Sequence, residues 1–177
     1  DELEDFYGSL GEIYKDNVDI IMCESMSSIF EGSNASRVAK EFSERVWLSW
    51  TNRGHQPDQL PSTEALSKAV DFSIEADVEC TLINCSHADM ASNSIKELKR
   101  ASRFGIFANS STFKEVDLSI ATKDVDAIHH LNSEKISAKE YAMIALSWAK
   151  EGAFVVGGCC GTTVEHTREI KLLMDSL

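Results

Sequence analysis

The sequence predicts an α/β protein built on a parallel β-sheet, and three observations carry that expectation. Short apolar runs alternate without a break with longer stretches whose apolar residues recur at helical spacing, the pattern of successive β/α units. The runs end in polar or thiol residues: Glu24 and Ser25, Thr51 and Asn52, Cys85 and Ser86, Asn109 and Ser110, Cys159 and Cys160. A hydrophobic content of 43% with only 2 Pro and 9 Gly describes a globular chain, and 177 residues suffice for one domain with a sizeable core.

Taken in order, residues 1–15 read as a helix with Leu3, Phe6, Leu10 and Ile13 on one face, and 18–24 as a short buried strand. A helix over 28–41 and a strand over 45–51 follow. Residues 52–61, with Gly54, Pro57 and Pro61, form a loop. Ser62 reads as the N-cap of a helix running to Ala76. Residues 80–85 are a third strand, 92–101 a helix and 104–109 a fourth strand. The stretch 110–130 is polar and mixed, a long loop with short pieces of structure. Ser137 caps a helix to about residue 151, 154–158 is the fifth strand, and the last helix runs from Thr163 to the end. No repeat, low-complexity tract or linker divides the chain, so 1–177 is expected to be one domain.

Five units is an awkward number for a closed barrel, which needs eight strands. Periodicity leaves two architectures open: a doubly wound open sheet, or the later five units of a (β/α)8 barrel. In either, the C-terminal ends of the strands form the face where a site is built, so residues scattered along the chain converge in space.

A formal charge of −12 and a pI near 4.8 argue against nucleic acid or an anionic membrane as partner. No run of about 18 apolar residues is present to span a bilayer. Five cysteines form an odd set without disulfide-scaffold spacing, which points to a reducing compartment such as the cytoplasm and to thiols kept for metal or reactivity. The chain opens at Asp1 in mid-helix without an initiator Met, so a preceding segment is expected.

The most informative stretch is 154–163, Phe-Val-Val-Gly-Gly-Cys-Cys-Gly-Thr-Thr, where a buried strand breaks into a glycine-rich turn carrying two adjacent thiols. Consecutive strand residues point to opposite faces, so Cys159 and Cys160 reach one ion only if the backbone leaves extended geometry, which Gly157, Gly158 and Gly161 permit. Cys85 ends another apolar run. Three thiolates with one open position describe a catalytic rather than a structural zinc. The bland alternative is three small buried hydrophobes, the commoner fate of free cysteine. Cys23 and Cys80 read as core thiols: Cys23 faces away from Glu24, and Cys80 begins its strand, opposite Cys85.

Residues 157–163, Gly-Gly-Cys-Cys-Gly-Thr-Thr, followed by Glu165 and His166 and preceded far upstream by Asn84-Cys85-Ser86, resemble the homocysteine-binding zinc domain of the homocysteine S-methyltransferases. The resemblance extends over essentially all 177 residues but matches only the later part of that domain; the family's opening Asp-Gly-Gly-type strand is nowhere in this chain. It implies a (β/α)8 TIM barrel of which this chain is a truncated piece covering about strands 4–8. It further implies Zn2+ on Cys85, Cys159 and Cys160, with Glu24 binding the amino group of L-homocysteine and Asn109 at a substrate-binding position. The implied reaction is methyl transfer to the homocysteine thiol, producing methionine, from a small donor that is S-methylmethionine, betaine-like or linked to folate or cobalamin. The resemblance also implies that residues 1–177 alone are inactive, and it leaves association into a homo-oligomer open. Two departures stand out: Ala108 replaces the proline that usually precedes the Asn109 position, and Val164 replaces a frequent helix-opening proline. His166 reads as a helix-surface or supporting residue, and His129 and His130 have no special claim.

Two rival readings stay open. One is a non-catalytic metal- or thiol-binding protein on the same scaffold. The other is an unrelated open-sheet α/β enzyme, for which no Gly-x-Gly-x-x-Gly turn, phosphate loop or serine elbow speaks.

Overall fold

Helices and strands alternate in the computed structural model, which describes residues 2–113 and 133–176. The first half runs α1 (Glu2–Tyr14), β1 (Ile21–Met26), α2 (Ile29–Phe42), β2 (Val46–Trp50), α3 (Leu66–Glu75) and β3 (Cys80–His87). Then come α4 (Ala88–Asn93), α5 (Ile95–Leu98), β4 (Phe104–Asn109), β5 (Ser111–Phe113), β6 (Ser133–Lys135), α6 (Ala138–Lys150), β7 (Val155–Gly158) and α7 (Val164–Met174).

Five of the strands form one parallel sheet in the order β1-β2-β3-β4-β7. The order follows the chain without reversal, whereas a doubly wound sheet changes direction partway. Right-handed connections that always advance the same way put every helix on one face. Trp50 shows how tightly that face is packed. Its ring lies against Gly32 of α2, where an added Cβ would come within 2.4 Å of it. The same ring meets Phe72 of α3 edge-on and donates from Nε1 to Ser73 Oγ at 2.9 Å.

The opposite face is concave. Trp47 of β2 and Phe154 at the start of β7 stand with ring centroids 6.3 Å apart although β3 and β4 lie between their strands. A flat sheet would separate those strands by about 14 Å at 4.8 Å per strand. Glu79 pins the same end of the sheet, accepting from Arg45 Nε at 3.0 Å, Arg103 Nη1 at 3.0 Å and Trp47 Nε1 at 3.1 Å. Close packing on this face also explains two glycines. A Cβ at Gly105 would meet Val155 and Leu82, and one at Gly157 would meet Phe107.

Local chemistry sets the helix starts. Ser28 accepts from the Glu31 N–H at 3.1 Å, and Ser137 forms a reciprocal capping box with Glu140. Two expectations need correction. The helix expected to start at Ser62 begins at Leu66, because Glu64 accepts the Ile29 N–H at the head of α2 and Thr63 takes a left-handed φ of 73°. The single helix expected over 92–101 is two, α4 and α5, divided at Ser94, whose hydroxyl is bonded to the Met90 and Pro57 carbonyls. The stretch after Asn109, read as a long loop with short pieces of structure, contains one such piece in β5, which pairs antiparallel with β6. The rest of that stretch, with His129 and His130, lies outside the described residues. Among the described residues no helix is long and apolar enough to cross a membrane.

Candidate metal centre

The site is built where two strands break. In β3 the register against β4 shifts between Asn84 and His87, and Cys85 in the middle adopts a left-handed φ of 52°. That rotation moves its sulfur off the helix-packed face, where strict alternation would put it, toward the C-terminal rim of the sheet. At the end of β7 the chain leaves the ladder in a turn over 159–162. The Thr162 N–H donates to the Cys159 carbonyl at 3.2 Å, and Thr162 Oγ1 donates to the same oxygen at 2.7 Å. Gly161 sits third in this turn with φ 77°, the value a type II turn demands at that position and glycine alone supplies cheaply. A side chain there would also strike Ser110 Oγ, 2.7 Å from the would-be Cβ.

The turn brings the two adjacent thiols to one side. Cys85 Sγ lies 3.5 Å from Cys160 Sγ, and Cys159 Sγ lies 4.0 Å from Cys160 Sγ. All three sulfurs are within 4.8 Å of one another, and all five cysteines are free thiols. Tetrahedral coordination with metal–sulfur bonds of about 2.3 Å sets ligand sulfurs about 3.8 Å apart, so the cluster already has the spacing one ion needs. The donor chemistry fits as well: three soft sulfurs, with no fourth ligand grouped with them among the described residues, leave one coordination position open.

Crowding divides the ionisation of the thiols. Cys159 is drawn down to about 6, chiefly by the nearby Cys85 thiol and further by Cys160. The same proximity to Cys159, together with burial and Cys160, holds Cys85 far above the ordinary thiol range. Helix α7 opens directly after the turn, which puts the positive end of its dipole beside the thiolates. His166 serves that helix end: its Nδ1 accepts the Thr163 N–H at 3.1 Å, and its ring packs edge-on against Tyr141.

The remaining residues marked by sequence fall into place differently. Asn109 stands at the end of β4 and its Oδ1 accepts the Cys160 N–H at 3.0 Å, so its carboxamide oxygen holds the turn. Glu24 is exposed within β1, which continues past it to Met26, and lies outside the sulfur cluster, bordering a cavity of about 350 Å3 between β1, α1 and α2. Cys23, beside it, is buried under the helices, and Cys80 is buried at the far end of β3; burial pushes both thiols up to about 12. Two supporting residues were not marked as such by sequence: Tyr141 carried no signal, and Asn84 stood only as a member of the Asn84-Cys85-Ser86 motif. Tyr141 of α6 sends its hydroxyl to the carbonyls of Ala108 at 2.7 Å and Gly157 at 2.8 Å, joining β4 to β7 just before the cysteine turn. Asn84 ties β3 to β1 and β2.

Fold and site together define an α/β protein with a three-thiol centre at the C-terminal rim of a singly wound parallel sheet. A family model described as homocysteine S-methyltransferase matches residues 1–174, and the chain belongs to that family. It is similar to Homocysteine S-methyltransferase YbgG of Bacillus subtilis (strain 168), with 25% identity over 181 residues that cover 100% of this chain and 54% of the relative. Two solved structures of the homocysteine methyltransferase MmuM from Escherichia coli share the fold. The apo form has a TM-score of 0.66 at 17% identity, covering 96% of this chain and 57% of that one. For the metallated form the values are 0.65 and 16%, with 96% and 52% covered. The chain thus spans about half the length of the relatives it matches.

Proposed function

We propose that this chain carries the zinc- and homocysteine-binding part of a methyltransferase that moves a methyl group to the thiol of L-homocysteine, producing methionine. The observation that carries the reading is the convergence of Cys85, Cys159 and Cys160 from two strand breaks into one three-sulfur group. The five strands are read as about strands 4–8 of a (β/α)8 barrel, the architecture that the sequential order and the curl of the sheet support.

In this reading Cys85, Cys159 and Cys160 hold Zn2+. When bound there, zinc supplies a Lewis-acid position at which a substrate thiol loses its proton at neutral pH and remains nucleophilic. The chain's own residues prepare that position. Cys159, with its lowered ionisation range, provides the first thiolate, and the start of α7 favours the accumulated negative charge. Asn109 holds the Cys160 backbone and so has a positioning role in addition to any contact with substrate. Glu24, on β1 two strands from Cys85, is proposed to take the ammonium group of homocysteine through a charge-assisted hydrogen bond. The donor is a small molecule bearing an activated methyl group.

The test is metal stoichiometry followed by substrate-dependent ligation. Residues 1–177 are expected to bind one Zn2+, and X-ray absorption at the zinc edge should show a fourth sulfur entering when L-homocysteine is added. Cys85→Ala, Cys159→Ala and Cys160→Ala should each abolish that change. Zinc bound with no sulfur added by homocysteine would favour a non-catalytic metal-binding role instead.

A further inference from the structure

We propose that Asn84 is a positioning residue whose carboxamide holds Cys85 in the left-handed conformation that aims its sulfur at Cys159 and Cys160, and couples it to the strand end bearing Glu24. The starting point is a break in alternation. Asn84 and Cys85 are consecutive in β3 and would face opposite sides of a regular strand. Asn84 nevertheless reaches across the concave face toward β2 and β1, while the Cys85 sulfur lies 3.5 Å from that of Cys160.

The φ of 52° at Cys85 reconciles the two directions. A non-glycine residue keeps such a conformation only where its surroundings over-determine it. Asn84 supplies that determination. Its Oδ1 accepts from the Ser25 N–H at 2.9 Å and from Ser49 Oγ at 2.7 Å, and its Nδ2 donates to Ser25 Oγ at 2.9 Å. The side chain is 1% exposed, so water cannot replace these partners. Ser25 is itself left-handed, with φ 59°, and lies where the β1–β2 register shifts. One carboxamide therefore locks two strand breaks together: Glu24 precedes the first, and Cys85 is the second. Thr51 Oγ1 and Ser86 Oγ make hydrogen bonds next to Cys85, but neither reaches β1.

The consequence for a bound metal rests on the zinc reading; the positioning of Cys85 does not, and the experiment separates them. Zinc-free protein is treated with diamide, whose N=N bond takes up the two thiol hydrogens as a Cys85–Cys160 disulfide forms, and the linkage is mapped by peptide mass spectrometry. Asn84→Ala, losing three buried hydrogen bonds, should form it about tenfold more slowly or worse. Ser73→Ala, which removes the buried bond to Trp50 on the helix-packed face, should lower stability and leave the rate unchanged. If Asn84→Ala does not fold, Ser25→Ala, which loses one of the three bonds, should slow the reaction about threefold. Wild-type rates in Asn84→Ala or Ser25→Ala, or an equal slowing in Ser73→Ala, would overturn the proposal. In a second arm Co2+ is the probe, and its thiolate charge-transfer band per bound metal should drop by about a third in Asn84→Ala as three sulfur ligands become two. Asn84-dependent crosslinking without any cobalt–thiolate band in the wild type would sink the metal reading and leave the positioning role standing.

Discussion

Replacing Tyr141 by phenylalanine isolates the hydroxyl that joins the last two strands of the sheet. The ring is fully buried and makes edge contacts with Trp148 and His166 at centroid distances of 5.7 Å, which Phe retains. What disappears is one O–H shared between the Ala108 carbonyl at 2.7 Å and the Gly157 carbonyl at 2.8 Å. The Ala108 oxygen keeps a second partner, the Cys159 N–H at 2.8 Å; the half-buried Gly157 oxygen loses its hydroxyl partner. Losing one buried hydrogen bond with its acceptors left behind costs about 1–2 kcal/mol. At about 2–4 °C per kcal/mol for a chain of this size, Tm should fall by several degrees in scanning calorimetry of the zinc-free protein. Because Cys159 is held by the same Ala108 carbonyl, zinc affinity measured by chelator competition should fall too. An unchanged Tm would show that the hydroxyl is not holding β4 to β7. A lower Tm with wild-type zinc affinity would refute the link from Tyr141 to the cysteine turn.

Gly161→Ala should weaken zinc binding by about tenfold, since a left-handed alanine costs about 1–2 kcal/mol and its Cβ meets Ser110 Oγ; adding Ser110→Gly should restore part of the loss in a chelator titration. Zinc affinity measured by chelator competition should fall as the pH is lowered, most steeply below about pH 6, where Cys159 joins the other thiols in holding a proton in the metal-free site; a pH-independent affinity would count against thiolate ligation. At the alkaline end, Cys23 and Cys80 have folded values raised to about 12 from 9.0, so the unfolded chain gives up these protons first. Their stabilising contribution is whole below pH 9 and is lost as the pH rises toward 12, and Cys80→Ala should make that fall in denaturation midpoints shallower.

Much of this protein is legible in its sequence. Alternating apolar runs and helical stretches announce parallel β/α units because strands buried on both faces must be largely apolar, a demand visible in Val46, Leu48 and Trp50 and in Leu82 and Ile83. Gly161 between Cys160 and Thr162 announces the turn, since local backbone conformation is set by neighbours in sequence. Ser137 with Glu140 announces a helix start for the same reason. Ser62 misleads because its apparent helix is interrupted by a contact between Glu64 and Ile29, thirty-five positions apart in sequence.

Tertiary structure alone decided how the pieces meet. Sequential strand order follows from pairings between distant segments, Ile21 with Val46 and Gly105 with Val155 among them, which no short window of sequence contains. Cys85 and Cys160 are separated by 75 positions, and their 3.5 Å approach depends on a left-handed residue in β3 for which cysteine has no intrinsic preference. Asn84 and Tyr141 were invisible as supports because an asparagine or a tyrosine acquires such a role only from the carbonyls and hydroxyls that the fold sets around it. Side-chain type is a property of one position and can be read there; a hydrogen bond across strands is a property of two, and only folding brings the second into reach.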